Sequence, residues 1–237
     1  MASRLPSIRY EPPGEPSLFD RWEQGVDVAM LAPLAVRDAT YRALVVELLA
    51  PYSRAGARLI SVGAGNGHAE AALAQTGWEV LATDPAASAL RHCRAKGLCT
   101  ARFELLSGDA SPDAFDAVYC DGVMGHLWDS AGASARAWNA LAELGCSGAV
   151  CLVSNDLADD DEAVRFKVRS SPDIAFYRPP AGGYAAEALA TGRWSLERER
   201  IYPYERNGVV RRRELIVVRL TGARTDRSGR SPADRQV

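Results

Sequence analysis

Three closely spaced glycines and a later aspartate carry the most chemical information in this sequence. Gly63, Gly65 and Gly67 follow a short apolar run, and Asp84 closes the next apolar run along the chain. Because glycine has no Cβ, a turn built from it lets the backbone come close to a ligand. A carboxylate can accept hydrogen bonds from both hydroxyls of a ribose. The sequence therefore predicts a nucleoside-binding site between the glycine turn and Asp84.

Two strands and a helix must position these residues. Leu59, Ile60 and Val62 form the kind of apolar run that a strand buried on both faces requires. A helix is predicted over about residues 69–75, and a second strand over residues 80–82. The order of strand, glycine turn, helix and strand ending in an acid is that of a nucleotide-binding half-site.

The glycine spacing distinguishes between cofactors. A dinucleotide fingerprint has the pattern G-x-G-x-x-G/A. Here His68 occupies the last of those positions, and the pattern is G-x-G-x-G. With an acid ending the next strand, this resembles the class I S-adenosylmethionine (SAM) methyltransferases. The resemblance extends over roughly residues 58–155 and implies SAM as co-substrate, with Gly63, Gly65, Gly67 and Asp84 binding it.

Further motifs follow in the order that the family has. A strand is predicted near residues 102–106, followed by Gly108, Asp109 and Ala110, where the family places an acidic residue that reads the adenine amino group. The resemblance thus implies cofactor contacts for Asp109 and Ala110. It implies the same for Ser61 and Cys120, which lie in the first and fourth strands.

The candidates for the reacting end of the site follow the later strands. The fourth strand, predicted over residues 115–120, leads into the segment that the family places beside the transferred methyl group, and a fifth strand is predicted over residues 147–154. His126 is the best candidate for a general base, because its ordinary pKa is near neutrality. Tyr177 and Asn155 are further catalytic candidates, and Asp121 is a weaker one. A purely structural role for His126 is an equally good interpretation.

Ser61 departs from the family pattern. The family usually has a carboxylate there, two residues before the first glycine, which helps to hold the SAM ammonium group. One interpretation is that another carboxylate or a carbonyl substitutes for it. The other is that the amine must be free to attack the side chain of SAM itself, forming azetidine-2-carboxylate and methylthioadenosine, as SAM-cyclising synthases of this fold do.

The predicted fold is α/β and Rossmann-like, with a mainly parallel seven-stranded sheet that carries one antiparallel strand. Residues 1–17 are predicted to be a flexible arm, 18–55 a helical lid broken near Pro33, 56–220 the SAM-binding domain and 221–237 a disordered tail. Asn207 and Gly208 lie between two alternating runs and predict a hairpin.

Composition limits the partners. The chain has 237 residues and a formal net charge of −2, which argues against a nucleic-acid substrate. Arg211, Arg212 and Arg213 are expected to lie on a solvated strand face. No apolar run suits a signal peptide or a membrane span, and the 5 cysteines include no C-x-x-C pair, so a cytoplasmic protein with reduced thiols is expected.

The sequence as a whole favours a SAM-dependent methyltransferase that acts on a small molecule, with no metal. The SAM cyclase is the alternative, and a non-catalytic SAM-binding subunit is a further one. The methyl acceptor and the oligomeric state are left open by the sequence.

Overall fold

The computed structural model describes residues 16–26, 32–107, 114–127, 133–159, 164–168 and 171–222. The arm predicted for residues 1–17 and the tail predicted for residues 221–237 lie almost entirely outside the described residues. Asp109 and Ala110 also lie outside them, so their predicted contacts with adenine stay predictions.

Nine strands are present in the described parts of the chain. In chain order they are β1 (Arg58–Val62), β2 (Glu79–Asp84), β3 (Cys99–Arg102), β4 (Phe115–Asp121), β5 (Gly145–Asp156), β6 (Val164–Val168), β7 (Ser171–Arg178), β8 (Trp194–Arg206) and β9 (Val209–Leu220).

Eight α-helices lie in the same parts of the chain. They are α1 (Leu18–Glu23), α2 (Leu34–Arg37), α3 (Ala39–Leu49), α4 (His68–Ala74), α5 (Ala87–Ala95), α6 (Met124–Leu127), α7 (Ala133–Leu144) and α8 (Gly183–Ala190), and a short 3-10 helix, Ala50–Tyr52, follows α3.

Seven of the strands form one sheet in the order β3-β2-β1-β4-β5-β9-β8. The first five strands are parallel, and β9 runs antiparallel to both of its neighbours. The strand order reverses between β1 and β4, which are adjacent. A ligand is expected beyond the carboxyl ends of the strands at such a switch point. This confirms the predicted Rossmann-like sheet.

The two faces of the sheet are covered by separate apolar layers. Leu59 of β1 packs on one side with Tyr41 and Leu48 of α3, whereas Ile60 packs on the other side with Trp138 of α7. Consecutive strand residues point to opposite faces, so both faces of β1 are buried. The short apolar run predicted exactly such a strand, and its burial fixes the position of the glycine turn that follows.

The observed elements differ from the predicted ones in three places. The third strand is Cys99–Arg102 and therefore precedes the predicted range of 102–106. A two-stranded sheet of β6 and β7, and helix α8, lie between β5 and β8, where no regular elements were predicted. Before β1, the described residues contain three α-helices, whereas a lid broken once near Pro33 would have two, and Pro33 stands immediately before α2.

The predicted hairpin is present. Asn207 and Gly208 have φ values of 54° and 73° and connect β8 to β9. Two consecutive left-handed residues match the right-handed twist of the strands that they join. Within the described residues, no helix is both long and apolar enough to cross a membrane.

Candidate active site

The glycine turn after β1 is held against the end of β2 by its backbone. The N–H groups of Gly63 and Ala64 both donate to the Thr83 carbonyl, each at 2.9 Å. Gly63 and Gly67 have φ values of 72° and 75°, which L side chains rarely adopt. A Cβ at Gly63 would lie 2.4 Å from Val123 Cγ2. The turn therefore needs glycine, both for its backbone conformation and for its contact with the loop that follows β4.

Asp84 closes the other side of this turn. It is the last residue of β2 and is 6% exposed. Its Oδ2 accepts a hydrogen bond from the Gly65 N–H at 3.1 Å, and its Oδ1 accepts one from the Ala86 N–H at 2.8 Å. Each carboxylate oxygen has a second lone pair. Asp84 is thus fixed by the backbone and still able to accept hydrogen bonds from a diol.

A pocket lies at the switch point between β1 and β4. The residues that line it include Gly63, Gly65, Gly67, Glu70, Tyr119 and Asp121. Three of these are the glycines predicted from the sequence. Two carboxylates, Glu70 and Asp121, also line it. The pocket thus lies between the glycine turn and two acidic side chains, and the hydrogen-bond and charge partners of these two side chains differ.

Glu70 is a buried carboxylate on the first turn of α4. It is 3% exposed, and the Ser61 hydroxyl donates to its Oε1 at 2.6 Å. Burial raises the pKa of Glu70 to about 7, and the nearby carboxylates Asp121 and Asp84 add to this, although the hydrogen bond from Ser61 opposes it. The sequence analysis did not identify Glu70. Its position, nine residues after Ser61 and on a helix, gave no local signal.

Asp121 belongs to a second group of buried polar residues, which we name the arginine cluster: Tyr41, Asp121, Ser154, Asp156 and Arg213. Arg213 forms ion pairs with Asp121 and, at 2.8 Å, with Asp156. Its Nε donates to the Ser154 hydroxyl at 2.8 Å, and the Tyr41 hydroxyl donates to Asp121 at 3.0 Å. The charges in this cluster are therefore paired and hydrogen-bonded, as burial demands.

The expectation that the arginine run at residues 211–213 lies on a solvated face was wrong for Arg213. Arg213 is 5% exposed, whereas Arg211 and Arg212 are half-buried. The reason is the pairing of β9 with β5, which sets Arg213 opposite Asp156. Two carboxylates lie within reach there, so the buried guanidinium is not left without a compensating charge.

Helix α1 contacts the glycine turn from outside. The Asn66 side-chain amide donates to the Phe19 carbonyl at 2.9 Å and to Glu23 Oε2 at 2.7 Å. Glu23 also pairs with Lys96 of the segment after α5, at 2.6 Å. A Cβ at Gly65 would lie 3.6 Å from the Phe19 ring. Helix α1 is thus placed where a lid would act, although the lid itself stays a prediction.

The structure brings the three predicted catalytic residues close together. A Cβ at Gly125, next to His126, would lie 2.7 Å from Asn155 Nδ2 and 2.9 Å from the Tyr177 carbonyl. Asn155 donates to the Tyr184 hydroxyl at 2.7 Å, and this hydroxyl donates to the Tyr177 carbonyl at 3.3 Å. These contacts describe a packed group beside the loop after β4. Their catalytic roles stay predictions.

His126 has an unusual environment within this group. Its ring packs on Phe176 with centroids 4.1 Å apart, and its buried Nδ1 has no hydrogen-bond partner among the described residues. Burial lowers the pKa of His126 to about 4. The imidazole is therefore neutral at pH 7, and a group with so low a pKa is a weak base.

The remaining predicted cofactor residues lie beneath the pocket. Ser61 is 1% exposed in β1 and touches the pocket through Glu70. Cys120 is fully buried in β4, beside Val62, and burial raises the pKa of its thiol well above the usual range. Neither stands among the residues that line the pocket, so a direct contact with the cofactor stays a prediction for both. Within the described residues, no cluster of His, Cys, Asp or Glu could hold a metal ion.

The chain is similar to known proteins in sequence and in fold. Residues 60–147 match the family model described as "Methyltransferase domain". A tabtoxin biosynthesis enzyme from Pseudomonas amygdali pv. tabaci is 29% identical over 193 residues, which cover 80% of this chain and 75% of that protein.

Solved structures show the same fold at low sequence identity. One is the 1,6-didemethyltoxoflavin-N1-methyltransferase of Burkholderia thailandensis, with bound 1,6-didemethyltoxoflavin and S-adenosylhomocysteine. It has a TM-score of 0.65 and 14% identity, over 85% of this chain and 84% of that chain. Another is the magnesium protoporphyrin IX methyltransferase of Synechocystis PCC 6803 with bound SAM. It has a TM-score of 0.58 and 18% identity, over 85% of this chain and 90% of that chain. Residues 60–147 therefore match a methyltransferase domain, and the sheet order is that of a Rossmann-like fold, which the chain shares with these solved structures.

Proposed function

We propose that this protein binds SAM at the glycine turn and transfers its methyl group to a small-molecule acceptor. The observation that carries the proposal is the combination, at the switch point, of a glycine turn pinned to Thr83, a fixed acceptor in Asp84 and a pocket lined by carboxylates. SAM carries two positive charges, on its sulfonium and ammonium groups, so an acidic pocket suits it. The structural relatives with SAM or S-adenosylhomocysteine bound, which act on small molecules, support the same assignment.

The residues of this chain would act mainly by alignment. Bound SAM supplies a methyl group on a positively charged sulfur, which is already a good leaving group. Asp84 would hold the ribose, and the glycine turn would let the backbone contact the nucleoside closely. The group of His126, Asn155 and Tyr177 lies beside the loop after β4, and we propose that it forms the acceptor side of the site. Fixing two reactants in line supplies much of the acceleration in such a displacement.

The cyclase remains the second candidate, and one observation favours it. Glu70 lines the pocket as a carboxylate with a pKa of about 7, so it could accept the proton that the SAM amine must lose before it attacks. The nitrogen would then bond to the γ-carbon of the amino-acid part of SAM. The bond between that carbon and sulfur would break, and methylthioadenosine would leave with the bonding pair. The products are azetidine-2-carboxylate and methylthioadenosine.

One experiment separates these functions. The purified protein is incubated with SAM, with and without a panel of small amino-acid and heterocyclic acceptors, and the nucleoside products are identified by mass spectrometry. We expect S-adenosylhomocysteine that depends on an acceptor, and no turnover of SAM alone. Methylthioadenosine formed without any acceptor would make the cyclase the correct function. Tight SAM binding without either product would instead indicate a non-catalytic subunit.

A further inference from the structure

Glu70 differs from Asp121, the other carboxylate that lines the pocket, in having no compensating charge among the described residues. No described Arg, Lys or His forms an ion pair with it, and its side-chain partner is the neutral hydroxyl of Ser61. Asp121, in the same pocket, is paired with Arg213. A buried carboxylate without a cation is costly to the folded protein, and it is the arrangement expected where a ligand brings the cation.

The position of Glu70 indicates which part of a ligand it meets. Its Oε1 lies 2.6 Å from the Ser61 hydroxyl near the carboxyl end of β1. Glu70 shares the pocket with Tyr119 and Asp121 of β4. Asp84, the predicted ribose acceptor, lies at the end of the neighbouring strand β2 and does not line the pocket. The amino-acid end of SAM would extend from the ribose towards this pocket.

We infer that Glu70, oriented by Ser61, binds the ammonium group of the amino-acid part of SAM. The inference rests on the proposed function, because it assumes that SAM occupies the pocket. It also accounts for the serine at position 61. In the family pattern, a carboxylate at position 61 of the strand provides the negative charge. Here the charge comes from Glu70 of helix α4, and Ser61 holds that carboxylate in place. The side chain at position 61 and that at position 70 thus act as one unit.

The test compares two ligands that differ only at the amine. Binding of S-adenosylhomocysteine, and of its analogue with hydrogen in place of the amino group, is measured by calorimetry for the unmodified protein and for Glu70→Gln. We expect the substitution to weaken S-adenosylhomocysteine binding by roughly ten- to a hundred-fold, since a charged hydrogen bond is lost. Binding of the deamino analogue should change by less than about threefold, a margin small beside that loss.

Glu214→Gln is the matched control. Glu214 is also a buried carboxylate, 1% exposed, and burial raises its pKa to about 7 as well. It accepts a hydrogen bond from the Gly182 N–H at 2.7 Å and does not line the pocket. Its substitution should leave the affinities for both ligands unchanged. If Glu70→Gln weakens both ligands equally, the inference is wrong and Glu70 has a structural role.

A relocation variant tests the same inference in the other direction. In the double variant Ser61→Asp with Glu70→Ala, the carboxylate is moved from the helix to the strand. This variant should have most of the preference of the unmodified protein for S-adenosylhomocysteine over the deamino analogue. Glu70→Ala alone should lack that preference. If the Glu70 variants fail to fold, Ser61→Ala decides, because it should reduce the preference by several-fold. Lack of any S-adenosylhomocysteine binding by the unmodified protein would contradict the proposed function itself, whereas binding with no preference for the amine contradicts only this inference.

Discussion

The two sides of the pocket handle buried charge in opposite ways. In the arginine cluster, Asp121 and Asp156 share the guanidinium of Arg213, and Asp121 also receives a hydrogen bond from the Tyr41 hydroxyl. On the side of the glycine turn, Glu70 has a hydroxyl partner and no cation among the described residues. The first arrangement is complete without a ligand, and the second is not. The comparison teaches that the uncompensated side marks where the charge of a ligand is needed, and the compensated side supports the pocket wall.

The largest effect is expected from breaking the compensated side. Arg213→Met leaves Asp121 buried without its cation and leaves Asp156 with only the longer ion pair to Arg178, at 3.5 Å, and it should lower the free energy of unfolding by about 3–5 kcal/mol. The measurement is urea denaturation at pH 7. Arg212→Met on the same strand is the control, because Arg212 is half-buried and, among the described residues, donates only to backbone carbonyls, and it should cost about 1 kcal/mol or less. Equal losses from the two variants would show that the cluster contributes nothing special.

Removing the charge of Glu70, on the uncompensated side, should raise the free energy of unfolding instead of lowering it. The pKa of Glu70 is raised from 4.5 to about 7, so the folded protein binds more protons than the unfolded chain between these values and loses stability as the pH rises through them. At pH 8 the cost is fully present. Glu70→Gln should therefore stabilise the ligand-free protein at pH 8 by up to ~3 kcal/mol, and by almost nothing at pH 4.

Thermal and urea unfolding at pH 4 and pH 8 check this second prediction. Glu79→Gln is the control, since Glu79 is an exposed carboxylate at the start of β2. A Glu70→Gln variant that is less stable than the unmodified protein at pH 8 would mean that the carboxylate is compensated after all. A variant that gains stability and loses ligand affinity would show that the uncompensated charge is kept for binding.

A third prediction concerns Asp84, a carboxylate that accepts hydrogen bonds from two backbone N–H groups. Asp84→Ala removes a charged acceptor for the ribose and should weaken SAM binding by about 1.5–3 kcal/mol, or roughly ten- to a hundred-fold. Calorimetry checks this, with Glu79→Ala on the same strand as the control. Unchanged SAM affinity in a folded Asp84→Ala protein would falsify the assignment of Asp84 to the ribose.

The sequence predicted the glycine side of the pocket because that side is local. It consists of the turn after β1, with Gly63, Gly65 and Gly67, and of Asp84 at the end of β2. The chemistry of these residues follows from their types and spacing. The sheet was predictable for the same reason, since apolar runs and turn residues define its strands. The charged partners were not predictable in this way.

Glu70 and Arg213 depend on contacts between elements. The carboxylate of Glu70 is oriented by a hydrogen bond from Ser61, which lies on the adjacent strand β1. Arg213 is buried because β9 pairs with β5 in a register that sets it opposite Asp156, and a shift of one residue would have turned it to the other face. Sequence pattern gives no such register for a strand that returns from 57 residues away. The pattern therefore showed which residues were charged without showing which of them were paired.

The smallest effect is expected at His126, a half-buried base whose Nδ1 is buried and has no hydrogen-bond partner among the described residues. Its pKa is lowered from 6.5 to about 4, so the unfolded chain binds a proton between these values that the folded protein does not. Stability should therefore be lost as the pH falls from 6.5 towards 4. His126→Phe keeps an aromatic contact with Phe176 and removes the titration. Relative to this variant, the unmodified protein should lose about 1–2 kcal/mol between pH 7 and pH 4.5, less than the full shift implies because His126 is partly exposed.

Activity measurements on the same variant decide whether His126 also acts as a base. A base with a pKa of about 4 gains little by accepting a proton at pH 7, so we expect His126→Phe to reduce kcat by about tenfold or less. His92→Phe is the control, because His92 lies in α5, pairs with Asp20 and does not line the pocket. A loss of kcat of a hundredfold or more in His126→Phe, with KM unchanged and no loss in the control, would make His126 the general base. Glu70 would then serve the reaction by holding a charge, and His126 would serve it by moving a proton.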